Sequence, residues 1–191
     1  MSALAELLQE VRACRICADV LPLGPRPVVQ ADVRARLLIV GQAPGLKVHE
    51  TGIPFNDPSG DRLRDWLGVS REVFYDPVQV AILPMGFCYP GRGRSGDNPP
   101  RPECAPAWRQ KLLDQLPNLE LTLLVGRYAQ EWYLGKGGSV TERVRNWRAY
   151  GPEQLPLPHP SPRNNLWLRR NPWFEKVLLP ELKERIERLR A

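Results

Sequence analysis

No stretch of this 191-residue chain approaches the roughly 20 consecutive apolar residues that a membrane-crossing helix requires. A secretion signal is missing too: MSALAELLQEVRAC contains acids and has no long apolar core. Together these absences predict a cytoplasmic protein. No internal repeat is visible. The glycine-bounded turn at 41–45 is not followed by Gly-Lys-Ser/Thr and lacks dinucleotide spacing, which excludes a Walker loop and a Rossmann fingerprint. Histidine is nearly absent, with only 2 residues, and cysteine is limited to 4. Without a secretion signal those cysteines are not expected to pair as disulfides.

The rest of the composition is that of a folded globule, 42% apolar and 25% charged, long enough for one sizeable core. We expect one domain over residues 1–191. The 21 prolines and 15 glycines fall in clusters, which reads as functional loops within a domain. Net charge is +6, and the surplus is arginine rather than lysine. Arginine's planar fork donates two hydrogen bonds at once to a phosphate. Such a surplus serves either a solubilising surface or a nucleic-acid partner.

The cysteines follow C-x2-C at Cys14 and Cys17, then C-x15-C at Cys88 and Cys104. Two thiolates two residues apart can grip one metal centre from a single turn, and a distant pair completes four ligands. The alternative is four unrelated buried thiols. Spacing alone does not separate zinc from iron–sulfur.

Strand-like and helical segments alternate. SALAELLQEVRAC has helical spacing at Leu4, Leu7, Leu8 and Val11, with Ser2 as a cap. RLLIV predicts a buried strand over Leu37–Val40. SGDRLRDWLGV is a short helix sharing a face among Leu63, Trp66 and Leu67. VQVAILPMGFC reads as a second strand, and ECAPAWRQKLLDQLP as a helix with Cys104 in its first turn. LELTLLVGRYAQEWYLG is strand, turn and helix. EQLPLPHPSPRNN begins as a strand and breaks into a loop. NPWFEKVLLPELKERIERLR is a closing helix capped by Asn171 and begun by Pro172, which Pro180 should kink or split. This alternation predicts an α/β domain, three layers α/β/α around a four-stranded parallel sheet. Ligands of such sheets gather beyond the carboxyl ends of the strands. There the sequence places GQAPG, GFCYPGRGRSGDNPPRP, GRYAQ and HPSPRNN.

Gly41 and Gly45 let backbone N–H groups approach a ligand closely. Phe55 lies outside any periodic segment and is either a core plug or a platform for stacking a base. Asp57 and Asp61 either orient a water or cap the next helix. In HPSPRN, prolines hold His159 rigidly, which suits a neutral imidazole donating to a developing negative charge. Ser161, Arg163 and Asn164 are all phosphate-contact types.

GQAPG after the first strand, Phe55 in GIPFNDPSGDRL, and HPSPRN after the last strand together resemble the uracil-DNA glycosylase superfamily. The four cysteines, with CYPGRGRSGDNPPRPEC spanning the last two, are similar to its iron–sulfur branch, family 4. The resemblance runs from about residue 10 to 185. It implies a [4Fe–4S] cluster on Cys14, Cys17, Cys88 and Cys104, and a DNA-repair hydrolase that removes uracil or a related deaminated base. The alternative is a lesion-binding protein of the same fold without turnover, or one that traps the sugar through His49. DNA, damaged and single- or double-stranded, is the implied partner, and the protein the implied monomer.

By the same resemblance, Gly41, Gln42, Ala43, Pro44 and Gly45 line the base pocket. Phe55 stacks on the flipped base, and His159 bonds its O2. Ser161, Pro162, Arg163 and Asn164 pinch the phosphate backbone. Arg92, Arg94 and Arg101 form a basic loop held by the cluster. Leu166 and Trp167 offer a wedge into the base stack, with Trp167 alternatively packed under the last helix, and Arg169 and Arg170 meet phosphates.

The sequence departs from the family at four places. Ala43 stands where the most active family carries a water-placing aspartate, as is usual in the iron–sulfur branch. Gln42 replaces a usual Glu. HPSPRN is closer to the single-strand-selective branch. Pro84 stands where relatives end the second strand with an asparagine that reads the base edge. Proline offers neither amide nor N–H. Selectivity must then come from elsewhere, or the base is hypoxanthine, xanthine or a damaged pyrimidine.

Overall fold

A computed structural model describes all residues, Met1–Ala191. In chain order the helices are α1 (Ala3–Arg12), α2 (Leu46–Thr51), α3 (Pro58–Leu67), α4 (Arg71–Phe74), α5 (Cys104–Leu113), α6 (Arg127–Leu134), α7 (Val140–Arg145), α8 (Asn165–Arg170) and α9 (Leu179–Arg190). The strands are β1 (Leu37–Val40), β2 (Val80–Ile82), β3 (Arg92–Gly93), β4 (Gly96–Asp97), β5 (Leu121–Val125) and β6 (Gln154–Leu157). Four of them form a parallel sheet in the order β2-β1-β5-β6. β3 and β4 make a separate antiparallel hairpin.

The sheet is covered on both faces, which explains its unbroken apolar strands. Along β1, Leu37 and Ile39 point to one layer and Leu38 and Val40 to the other. The first layer holds α3, α9 and the aromatic side chains Trp66, Phe74, Trp147 and Phe174. The second holds α1 and α5 through Leu4, Leu8, Val11, Ala105 and Leu112. This is the expected three-layer α/β/α architecture. Pro156 is tolerated in β6 because that strand pairs with β5 alone and is an edge of the sheet.

One of the two expected helix caps is present. Ser2 Oγ accepts from the Ala5 N–H at 3.2 Å. Pro172 follows Asn171 into the closing helix, but the Asn171 side chain accepts from Arg145 and Trp173 Nε1 instead of capping. Pro180 does not split that helix, which runs unbroken from Pro172 to Arg190, with a π-helical turn at Phe174–Leu178 preceding α9. The hairpin β3–β4 was not expected, since its strands are two residues each and lie in a stretch that reads as basic loop. Nor was α2 expected between the Gly41–Gly45 turn and Phe55.

β1 and β2 neighbour each other on one side, and β5 lies on the other side of β1. The order of connection therefore reverses between β1 and β5. A crevice opens at the carboxyl ends of strands at such a switch point.

Candidate active site

A cavity of about 420 Å³ occupies that crevice. Its floor is the turn Gly41–Gly45, whose carbonyls continue the sheet pattern: Gly41 O accepts from Met85 N–H and Gln42 O from Gly86 N–H, each at 2.9 Å. The Phe55 ring stands over Gly41, where a β-carbon would lie 3.2 Å from its Cζ. Phe55 is the one non-glycine residue with positive φ, at 54°. That left-handed conformation is rare for a bulky side chain and is held here by its surroundings. Its carbonyl is wedged against Gly60, where a β-carbon would meet it at 1.7 Å, and accepts from Arg64. Its ring meets Phe74 edge-on at 6.0 Å. Both readings of Phe55 are thus partly realised: it touches the core and faces the cavity.

His159 enters from the loop after β6, beside Gly126 at the end of β5. Its Nδ1 accepts from the Ser161 N–H at 3.2 Å. The ring proton of the neutral imidazole is thereby assigned to Nε2, leaving that nitrogen as a donor. Burial lowers the imidazole's proton affinity below its ordinary value, and the nearby Asp57 carboxylate opposes this. The loop is braced on three sides. Asn164 Nδ2 donates to the His159 carbonyl at 2.7 Å, and Arg62 of α3 donates to the Ser161 carbonyl at 3.1 Å. Arg163 Nη1 donates to the Ser95 carbonyl at 2.7 Å, tying the loop to the β3–β4 hairpin.

Asp57 lines the cavity and also caps α3, its Oδ1 accepting from the Gly60 N–H at 2.8 Å. Asp61 does not line the cavity. Its carboxylate pairs with Arg64 of the same helix at 2.6 Å, the ordinary i,i+3 geometry of a helix face. Gln42, Ala43, Pro44, Pro84, Ser161, Arg163 and Arg92 line the cavity. Pro162 and Asn164 lie outside it in a 3-10 turn, and Arg94 is exposed.

Trp167 resolves to the packing alternative. It meets Trp173 and Phe174 edge-on at 5.9 and 5.5 Å, and its Nε1 donates to Thr141 at 2.7 Å, so it is no free wedge. Leu166 is exposed on α8 beside Arg169 and Arg170. His49 sits on α2 with its ring 6.0 Å from Tyr89, next to the cavity-lining Val48 but not itself in the lining. Sequence reasoning missed Asp97, Ser95 and Ser59. For Asp97 no spacing could have revealed it, because a hairpin of two two-residue strands brings it in.

The four cysteines converge from the turn after α1, the segment after β2 and the start of α5, and line a second cavity with Phe87 and Trp108. None is paired as a disulfide. No three His, Cys, Asp or Glu side chains stand close enough to hold a single metal ion. Two sulfurs already accept N–H donors: Cys104 from Phe87 N–H and Cys14 from Trp108 Nε1, both at 3.3 Å. Burial pushes the Cys104 thiol up to about 12 and Cys88 to about 11, and the other cysteines add to the rise. A cation among them would reverse that penalty, since metal ligation requires thiolates.

The sequence model of a family described as the uracil DNA glycosylase superfamily matches residues 28–183. Two curated relatives are each described as a type-4 uracil-DNA glycosylase. That of Saccharolobus solfataricus is 26% identical over 189 residues, covering 93% of this chain and 82% of its own. That of Sulfurisphaera tokodaii is 25% identical over 201 residues, covering 96% and 84%. No helix of the chain is long and apolar enough to cross a membrane.

Proposed function

Since the chain belongs to the uracil DNA glycosylase superfamily, we propose that it is a DNA glycosylase of base excision repair, resembling the type-4 enzymes. It hydrolyses the N-glycosidic bond of uracil or a related deaminated base flipped out of DNA. The observation that carries the reading is the convergence of the Gly41–Gly45 turn, Phe55 and an Nε2 donor on His159 in one cavity at the switch point of the sheet.

A base stacked in a duplex is out of reach, so the target must leave the helix at a cost of a few kcal/mol. Phe55 would stack on the extruded base, returning part of that cost. As the N1–C1′ bond breaks, its electron pair moves to the base. His159 then donates from Nε2 to the carbonyl oxygen that becomes negative. A fixed donor of this kind typically contributes about 3 kcal/mol to the transition state. Water adds to C1′ and releases its proton. Arg92, Ser161 and Arg163 are the residues we assign to phosphates, with the exposed Arg94, Arg169 and Arg170 around the rim.

Cys14, Cys17, Cys88 and Cys104 would hold an iron–sulfur cluster. Sulfurs from three chain segments that share one cavity, two of them already supplied with N–H donors, support a multinuclear group. A single zinc ion would draw four sulfurs to about 2.3 Å from one point. Bound there, the group supplies covalent cross-links among three chain segments. We take residues 1–191 as one domain, acting as a monomer in the cytoplasm.

The test is base release from uracil-containing single- and double-stranded oligonucleotides, followed by alkali. Strand breaks at uracil are expected. Absence of breaks at uracil, hypoxanthine and xanthine alike would overturn the reading and leave a lesion-binding protein.

A further inference from the structure

The end of β2, where the family resemblance implies a base-reading asparagine, offers a base no hydrogen bond. Pro84 has no N–H, and its carbonyl and that of Leu83 both accept from the buried Arg109 guanidinium. Two other polar groups of the cavity are each engaged through one atom. The Gln42 amide donates to Asn98 O at 3.1 Å, and Asp57 Oδ1 caps α3.

Asp97 differs from these. It lines the same cavity, and no protein hydrogen bond reaches its carboxylate. Its Oδ2 rests against Gly45, 3.4 Å from where a β-carbon would lie. The hairpin that presents it is fixed on both sides. Arg163 donates to Ser95 O, Gln42 donates to Asn98 O, and Asn98 Nδ2 donates to Pro90 O at 3.2 Å. Gly96 has φ 133°, a backbone conformation that side chains rarely adopt, and a β-carbon there would displace Arg163 Nη1, 2.5 Å away.

We propose, building on the glycosylase reading, that Asp97 selects the base by accepting a hydrogen bond from the lactam N–H that uracil and hypoxanthine share. An ionised carboxylate is an acceptor only. Deamination converts N3 of cytosine and N1 of adenine from bare acceptors into N–H donors. A carboxylate at that position attracts the deaminated base and faces a lone pair in the parent. With Pro84 silent, no group on β2 reads the neighbouring carbonyl, so one- and two-ring lactams meet the same criterion. Thymine and guanine also carry the N–H, so Asp97 sorts uracil from cytosine and hypoxanthine from adenine, but not thymine from uracil. Burial and the nearby Asp57 carboxylate raise the proton affinity of Asp97 above the ordinary carboxylate value, and Arg92 and Arg163 oppose the rise.

The experiment uses DNA carrying 2′-fluorinated deoxyuridine, its N3-methyl derivative, or 2′-fluorinated deoxycytidine, which resist base release, and reads binding by fluorescence anisotropy. Uracil release from ordinary DNA is measured in parallel. The wild type should prefer uracil over both other bases by about tenfold or more, the size of one hydrogen bond to a charged group. Asp97→Ala should bring that ratio close to one. Asp97→Asn, which regains a donor, should raise cytosine binding relative to uracil. A wild type blind to the N3-methyl group, or variants that keep the wild-type ratios, overturns the proposal. Discrimination that depends on Asp97 without any base release sinks the glycosylase reading and leaves the assignment of Asp97 standing. Release without such discrimination does the reverse.

Discussion

His159 shows how one backbone hydrogen bond can fix a chemical role. The Ser161 N–H occupies Nδ1, so the ring can donate only from Nε2 while it stays neutral. Protonating Nδ1 would set two N–H groups against each other and break the loop contact. Burial lowers the proton affinity of the folded imidazole below the ordinary value of about 6.5. The unfolded chain therefore binds the proton more readily in the window just below that value, and this residue costs stability as pH falls through it. We expect base release to be level from pH 8 to 7 and to decline only below about 6.5, as a single-turnover pH profile would show. A decline already centred above pH 7 would contradict the neutral assignment. His159→Ala should lower the rate at pH 7.5 by about a hundredfold, the typical loss of one such donor, with circular dichroism unchanged. His159 and Phe55 were legible in the sequence because each stands in a local motif of glycines or prolines. Asp61 was left open between two roles for the same local reason: an acid near a helix start looks alike whether it faces a cavity or pairs with an arginine one turn on.

At the scale of elements, the cavity depends on close approach between the segment before α3 and that helix. Gly60 permits it, since any β-carbon there would overlap the Phe55 carbonyl. Gly60→Ala must push Phe55 out of its left-handed conformation or lift α3 from its cap at Asp57. Overpacking of this kind costs about 1–3 kcal/mol, or roughly 5 °C in melting temperature for a chain of this length. The same variant should lose base stacking, read as a rate loss of at least about tenfold, equivalent to ~1.4 kcal/mol. A variant with unaltered melting and rate would show that the segment has slack. The four strands of the sheet and the helices α1, α3, α5, α6 and α9 were legible because short apolar runs and period-3.6 patterns are local, whereas the strand order and the short helices α2, α4, α7 and α8 were not. The β3–β4 hairpin was not, because two-residue strands carry no period. Its position is set by Arg163 and Gln42, which lie 68 and 56 residues from their partners in sequence.

Across the whole molecule, the cysteine site and the cavity share a wall. The segment after β2 contributes Pro84 to the cavity and Gly86, Phe87 and Cys88 to the cysteine site. Leu83 and Pro84 are held by Arg109, on the helix that Cys104 begins. A group linking Cys88 to Cys104 would fix both ends of that wall, and links to Cys14 and Cys17 would fasten the segment after α1 to it. None of the four cysteines touches the cavity, so their contribution to catalysis is positional. Cys88→Ser should therefore remove the broad visible absorption of an iron–sulfur cluster from purified protein. It should also lower the melting temperature by at least about 5 °C, because binding energy at such a site is folding energy. Base release near room temperature should weaken as the wall loosens, yet persist above background while His159 and Phe55 remain. Complete loss of release in a variant that still melts cooperatively would show that the site does more than hold the wall. A colourless wild type containing stoichiometric zinc would replace the cluster by a single ion and require the four sulfurs to close together around it.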